Sequence, residues 1–217
     1  MKSSQDGCSS NPRIATRRRG NWFASAVVLL GMVGAALPAR AEFLMRQVNL
    51  AYLAQRADII LQGRVTSVRY EGMPGYPHIP TVLVTLEVEH MLRGPQGRQY
   101  TFRQWIPSRR ELGGKRGYQV GQRLVLFLLS PSQYGLSGPI GHEQGRFHIL
   151  RDARGSEQIA NEFGNAGLFR NVSETAEKAG ASLNEKQMQT ASTPSGAVPL
   201  NDFVDLVEHL KQLPRIE

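Results

Sequence analysis

Cysteine is almost absent from this chain. The single one, Cys8, precedes an apolar run near the start, so no disulfide framework and no cysteine metal site can be built downstream of it. Long hydrophobic runs are equally scarce. The only candidate, Trp22 to Leu37, has 16 residues, short for a bilayer span of about 20. Acids are outnumbered, 18 against 26 Lys and Arg, but the excess is local, because residues 1–41 hold six of the bases and one of the acids. The other 176 residues carry 20 bases and 17 acids, a net charge of +3. That balance does not support a polyanion-binding surface over the whole domain.

What is present at the start is an ordered signal. Arg17, Arg18 and Arg19 precede the apolar run, and Ala39-Arg40-Ala41 follows Pro38. A basic segment, a short apolar segment and a small-x-small site form a secretory signal peptide, so the working protein is expected to begin at Glu42, outside the cytoplasm, in the periplasm or the medium. An uncleaved anchor would export the same domain. Gly20 and Asn21 follow the arginines where a twin-arginine signal carries apolar residues, and Cys8 lies on the wrong side of the run to accept a lipid. No stable membrane span is expected after cleavage.

The mature chain reads as mainly β. A loose helical spacing over Leu44–Ala57 predicts a short leading helix. Ile59 to Val68 is rich in β-branched residues and reads as a strand, with Gly63 marking a bulge or sharp coiling. A loop with Gly72, Pro74, Gly75, Pro77 and Pro80 leads to the alternating strand Thr81–Met91. Gly94-Pro95-Gln96-Gly97 turns into Gln99–Ile106, with Tyr100, Phe102 and Gln104 opposite Thr101, Arg103 and Trp105. Arg123 to Leu129 is nearly all apolar and predicts a central strand covered on both faces, followed by short strands at Tyr134–Ile140 and Gly145–Leu150. Five or six closely spaced strands imply a small OB-like antiparallel barrel or a sandwich. Residues 171–197 are poor in large apolar residues and read as a linker, although Ala and Glu permit transient helix. Phe203, Leu206, Val207, Leu210 and Leu213 then predict an amphipathic helix capped by Asn201, closed by Pro214, and packed on the barrel. The expected organisation is a signal peptide (1–41), a barrel with its leading helix (42–165), a flexible linker (166–199) and a terminal helix (200–217).

The succession Ala57-Asp58-Ile59-Ile60-Leu61-Gln62-Gly63-Arg64-Val65, Leu86-Glu87-Val88, Leu92-Arg93-Gly94, Gly121 to Leu128 and Gly145-Arg146-Phe147 resembles a family of exported bacterial domains. That family is similar to the netrin-like OB-fold of the tissue inhibitors of metalloproteinases, and the likeness covers residues 48–150. The resemblance implies an OB-like barrel and, as a hypothesis, protease inhibition. The animal inhibitors present an amino-terminal cysteine to the target's zinc, which this chain lacks after Cys8. Another wedge would be needed, either the loop Gly72–Pro80 or the segment around His142 and Glu143.

Motifs for catalysis are incomplete. His142-Glu143-Gln144-Gly145-Arg146 has Arg146 where a zinc helix needs its second histidine, and His148 is out of phase with His142 on a helix. Gly135-Leu136-Ser137-Gly138 lacks the last glycine of a nucleophile elbow, so Ser137 reads as a turn residue. Gly113-Gly114-Lys115-Arg116 lacks the spacing of a phosphate loop. Asp58, Glu87 and Glu89 show no catalytic partner, and the two glutamates fall on a polar strand face where cross-strand pairing is ordinary. No catalytic residue, metal ligand or cofactor is assigned. The strongest local feature is basic and aromatic: Arg103, Trp105, Arg109, Arg110, Lys115 and Arg116 gather around one hairpin end. Such a set can stack on and neutralise an anionic polymer. For an exported chain, an envelope polysaccharide is a better fit than nucleic acid. The leading expectation is a non-enzymatic exported domain that binds an envelope or secreted protein, a protease among the candidates.

Overall fold

A polar cap starts the described chain. Asn49 accepts the Tyr52 N–H at 2.8 Å, and helix α1 (Leu50–Arg56) follows. At seven residues it is too short to stand by itself, and it is held by the burial of Leu50, Ala51, Leu53 and Ala54. The computed structural model describes residues 47–107 and 117–214. The expected signal segment 1–41 lies outside them, as do Arg109, Arg110, Lys115 and Arg116.

Seven antiparallel strands form one sheet: β1 (Ile59–Met73), β2 (Tyr76–Arg93), β3 (Gln99–Trp105), β4 (Arg123–Leu128), β5 (Arg146–Arg151), β6 (Glu157–Asn161) and β7 (Val198–Pro199). Their order is β3-β2-β1-β4-β5-β6-β7. Helices α2 (Val172–Lys178), α3 (Glu185–Ala191) and α4 (Leu200–Leu210) complete the chain. The bulge expected at Gly63 is present. The β1–β2 register shifts between Gln62 and Gly63, and a Cβ on Gly63 would lie 2.5 Å from the Glu87 carbonyl oxygen.

Strand alternation divides the interior in two. Leu124, Leu126 and Leu128 of β4 face one core with Leu61 and Val65 of β1, Val84 and Leu86 of β2, and Phe102 of β3. Val125 and Phe127 face the other, against α1 and α4. The central strand is thus covered on both faces, as its apolar run predicts. Phe127, Phe147 and Phe203 meet in the second core, with ring centroids 4.9 to 6.3 Å apart. The terminal helix packs on the sheet through Phe203, Leu206, Val207 and Leu210, all fully buried.

Five expectations are corrected. The sheet does not close into a barrel. Residues 134–140 form no strand and touch their neighbours only through isolated bridges, Leu136 with Arg103 and Pro139 with Leu128. Pro131 and Pro139 lack an N–H to donate and Gly135 takes φ +70°, so this stretch cannot sustain a ladder. The presumed loop 72–80 is strand almost throughout, with only Pro74 and Gly75 in the turn and Gly75 at φ +79°. The segment 166–199 holds α2, α3 and β7, and most of its few large apolar residues are placed inward, Met188 excepted. Leu168, Phe169, Val172, Ala176 and Val198 all join the second core, so the described residues belong to one compact unit. Finally, Pro199 occupies the cap position of α4 and Asn201 lies inside the helix.

Arg93, at the end of β2, ties these parts together. Its Nη1 donates to the Ala54 and Ala57 carbonyls, each at 2.7 Å, and its Nη2 donates to the Lys211 carbonyl at 2.5 Å. One guanidinium therefore satisfies carbonyls at the C-terminal ends of α1 and α4. Lys211 Nζ returns a bond to the Leu92 carbonyl at 2.5 Å. Arg93→Ala is expected to lower the unfolding free energy by about 2–3 kcal/mol in urea titrations, with Arg93→Lys recovering only part because an ammonium lacks the planar fork. Phe203→Ala is expected to cost about 3–5 kcal/mol in the same assay.

Candidate functional site

The failure of the sheet to close leaves a cleft. It lies between the end of β3 and the segment that follows β4, encloses about 500 Å³, and is lined by Gln104, Trp105, Leu129, Leu136, Pro139 and His142, among others. Three bonds fix its far wall: Ser137 N–H to the Arg103 carbonyl at 2.8 Å, Leu129 N–H to the Gly138 carbonyl at 3.3 Å, and Ser137 Oγ–H to the Leu129 carbonyl at 2.6 Å. Ser137 is a structural hydroxyl here. Gly141 and His142 are both left-handed, at φ +62° and +56°, and hold the imidazole at the rim. Gln104 turns inward and accepts the Tyr118 hydroxyl at 3.0 Å, while Trp105 turns outward and stays 49% exposed.

Of the basic and aromatic set expected from the sequence, only Arg103 and Trp105 are among the described residues. Arg103 is committed elsewhere. Its Nη2 pairs with Glu71 Oε1 at 2.6 Å and its Nη1 donates to Thr81 Oγ1 at 2.9 Å, so it clamps β3 to the β1–β2 hairpin. Trp105 therefore shares the lining of the cleft with Leu129, Leu136 and Pro139, and Arg103 is not part of it. Those apolar partners were hidden in a segment read as a short strand. Their signal was the mixture of Pro, Gly and isolated apolar residues at 129–140, which produces a wall without a ladder.

The His142–Arg146 motif also resolves. His142–Gly145 is a short 3-10 turn, and Arg146 Nη2 pairs with Glu143 at 2.5 Å and with Glu162 at 3.7 Å. Arg146 is 2% exposed and its guanidinium lies 4.8 Å from the centre of the Tyr118 ring. His148 is on the same face of β5, with Nε2 at 3.0 Å from Glu162. His142 and His148 thus belong to separate environments, and no group of three or more His, Cys, Asp or Glu converges as metal ligands would among the described residues.

Two of the three acids considered as catalysts, Asp58 and Glu89, have structural partners, and Glu87 is exposed. Asp58 accepts the Ser130 N–H at 2.8 Å. Glu89 receives Arg123 in two-pronged fashion, Nε to Oε1 at 2.8 Å and Nη2 to Oε2 at 2.7 Å, and Gln62 at 2.9 Å. Arg123 also bonds to Glu157, carrying the network from β2 across β4 to β6. Arg123 is the main reason that the Glu89 carboxyl titrates below the usual range. Burial pushes the Tyr118 hydroxyl far up, so it remains a neutral donor.

Burial, and then the Arg146 charge, push the His148 pKa below its ordinary value, against the opposing pull of Glu162. A folded pKa below the unfolded value of about 6.5 means that the folded state binds fewer protons. The stabilisation by neutral His148 is present above that value and is lost as pH falls through the folded pKa. Unfolding titrations between about pH 7.5 and 5 are expected to show a steeper fall for the wild type than for His148→Gln. No protein-family model matches the chain, and no curated protein matches it.

Proposed function

We propose that the chain, processed to residues 42–217, is an exported, non-enzymatic binding domain whose Trp105 cleft takes an extended, uncharged segment of a protein partner in the envelope or the medium. The observation that carries this reading is the half-exposed indole of Trp105 beside a cleft walled by Leu129, Leu136 and Pro139. None of the described residues lining that cleft is Asp, Glu, Lys or Arg. An aromatic anchor in a desolvated apolar pocket contributes more binding energy per residue than a solvated rim charge.

The polysaccharide reading is supported less well. Arg103, the cation nearest Trp105 on its strand face, is neutralised by Glu71, which leaves that reading to Arg109, Arg110, Lys115 and Arg116. Protease inhibition is a narrower form of the same proposal, and a netrin-like relationship belongs to it as well. What supports the latter is the antiparallel order β3-β2-β1-β4, bridged at one point by Leu136.

Affinity capture from the exported fraction, with residues 42–217 as bait, tests the proposal. The expected result is a protein that stays bound in high salt, is held roughly thirtyfold less tightly by Trp105→Ala, and is lost with Leu136→Glu. Retention of glycan alone, released by salt and indifferent to Leu136→Glu, would transfer the function to the basic loop.

A further inference from the structure

We propose that the segment seated in the cleft is the β1–β2 hairpin tip of a second copy of this chain, exchanged reciprocally across a two-fold axis. The inference rests on the cleft reading above and names its occupant. The pairing pattern shows why the tip is available. β4 accompanies β1 only as far as Arg64, opposite Arg123, and β3 accompanies β2 only from Thr81, opposite Trp105. Beyond those points residues 72–80 continue as a two-stranded ribbon with no flanking strand among the described residues. At about 3.3 Å per residue, Tyr76 stands roughly 15 Å past Trp105.

A bare two-stranded ribbon is marginal in water, and this one is reinforced. Met73 is only 6% exposed. A Cβ on Gly72 would lie 2.4 Å from the Pro77 carbonyl oxygen, so the two strands approach as closely as glycine allows. At the root, Arg103 bonds to Glu71 and Thr81, and Thr81 Oγ1 donates to the Glu71 carbonyl at 2.9 Å. The tip is a preorganised projection, which limits the ordering entropy lost on docking.

Its chemistry matches the cleft. Gly72-Met-Pro-Gly-Tyr-Pro-His-Ile-Pro80 contains no Asp, Glu, Lys or Arg in a chain that is 20% charged, and the described residues of the cleft lining contain none either. Pro74 to His78 are exposed, with Tyr76 at 46% and its ring edge-on to His78. Proline and tyrosine rings pack on an indole and, having few donors, leave little unsatisfied in an apolar seat.

Symmetry follows from placement. Thr81, at the root of the tip, is the register partner of Trp105, so tip and cleft adjoin in every copy. A two-fold axis beside that root lets each tip enter the other copy's cleft at once, giving a closed, self-complementary contact.

The test is sedimentation velocity on residues 42–217 from about 1 to about 200 µM, a range in which a modest interface declares itself. Trp105 emission is followed in parallel, since Trp22, the only other tryptophan, lies in the signal segment. The inference predicts a concentration-dependent dimer with a blue-shifted indole. Tyr76→Asp at the exposed tip and Leu136→Glu in the cleft should each weaken association at least tenfold. An equimolar mixture of the two variants should regain part of it, because one intact tip then faces one intact cleft. A monomer throughout the range, or a dimer untouched by Tyr76→Asp, overturns the inference. A monomer that still captures another protein through Trp105 leaves the cleft reading standing, whereas one that captures none removes both.

Discussion

The two-sided burial of β4 is the constraint on which this structure depends. Leu124, Leu126 and Leu128 complete one core and Val125 and Phe127 complete the other, so a single strand divides the interior. Neither core can exist without its own cover. The first is closed by the hairpin β1–β2 and by β3, and the second by α1, α4 and the aromatic contacts of Phe147 and Phe203. The Arg93 guanidinium follows from the same arrangement, because it sits where β2 ends against the exposed carbonyls of two helices.

The cleft is a consequence of how the first core is closed. A full barrel would require a strand between β3 and β4, and the chain supplies residues 134–140 instead, broken by Gly135, Gly138 and Pro139. They contribute a few backbone bonds and apolar side chains, which suffice to shield the core but leave a concave seam. Trp105 is exposed at that seam because its strand parity places it opposite Phe102, outside the core. The same parity puts Arg103 outward, where Glu71 claims it. An aromatic anchor and a half-buried ion pair thus come from two residues of one strand face, and they favour different partners for the site.

Strands β1 to β5, both ends of the helix order and the buried face of the last helix were legible in the sequence because each rests on periodicity or on an apolar run. Gly63 was legible because only a bulge or close approach requires glycine inside such a run. Other features were not. The linker reading failed because Leu168, Phe169, Val172, Ala176 and Val198 are sparse in sequence and converge only in space. Strand β6 (Glu157–Asn161) contains one large apolar residue, Ile159, and carries no alternation to detect. Its turn is held instead by Asn161 and Asn165, whose side chains accept each other's backbone N–H at 3.0 Å, a reciprocal lock that composition cannot reveal. The cleft was invisible for a related reason, since its walls come from β3 and from a segment some thirty residues later. Sequence proximity set Arg103 beside Trp105, but among the described residues three-dimensional proximity brings Leu129, Leu136 and Pro139 to the same cleft.

The central claim is that Trp105 contacts an uncharged protein segment in the cell. Replacing Trp105 with a photo-crosslinking benzoylphenylalanine, irradiating intact cells and sequencing the adduct by mass spectrometry tests it most directly. The account predicts a peptide adduct rich in proline and aromatic residues and free of charge at the crosslink, with residues 72–80 of a second copy as the expected match. Adducts confined to glycan, or to acidic peptides reached through the basic loop, would contradict it.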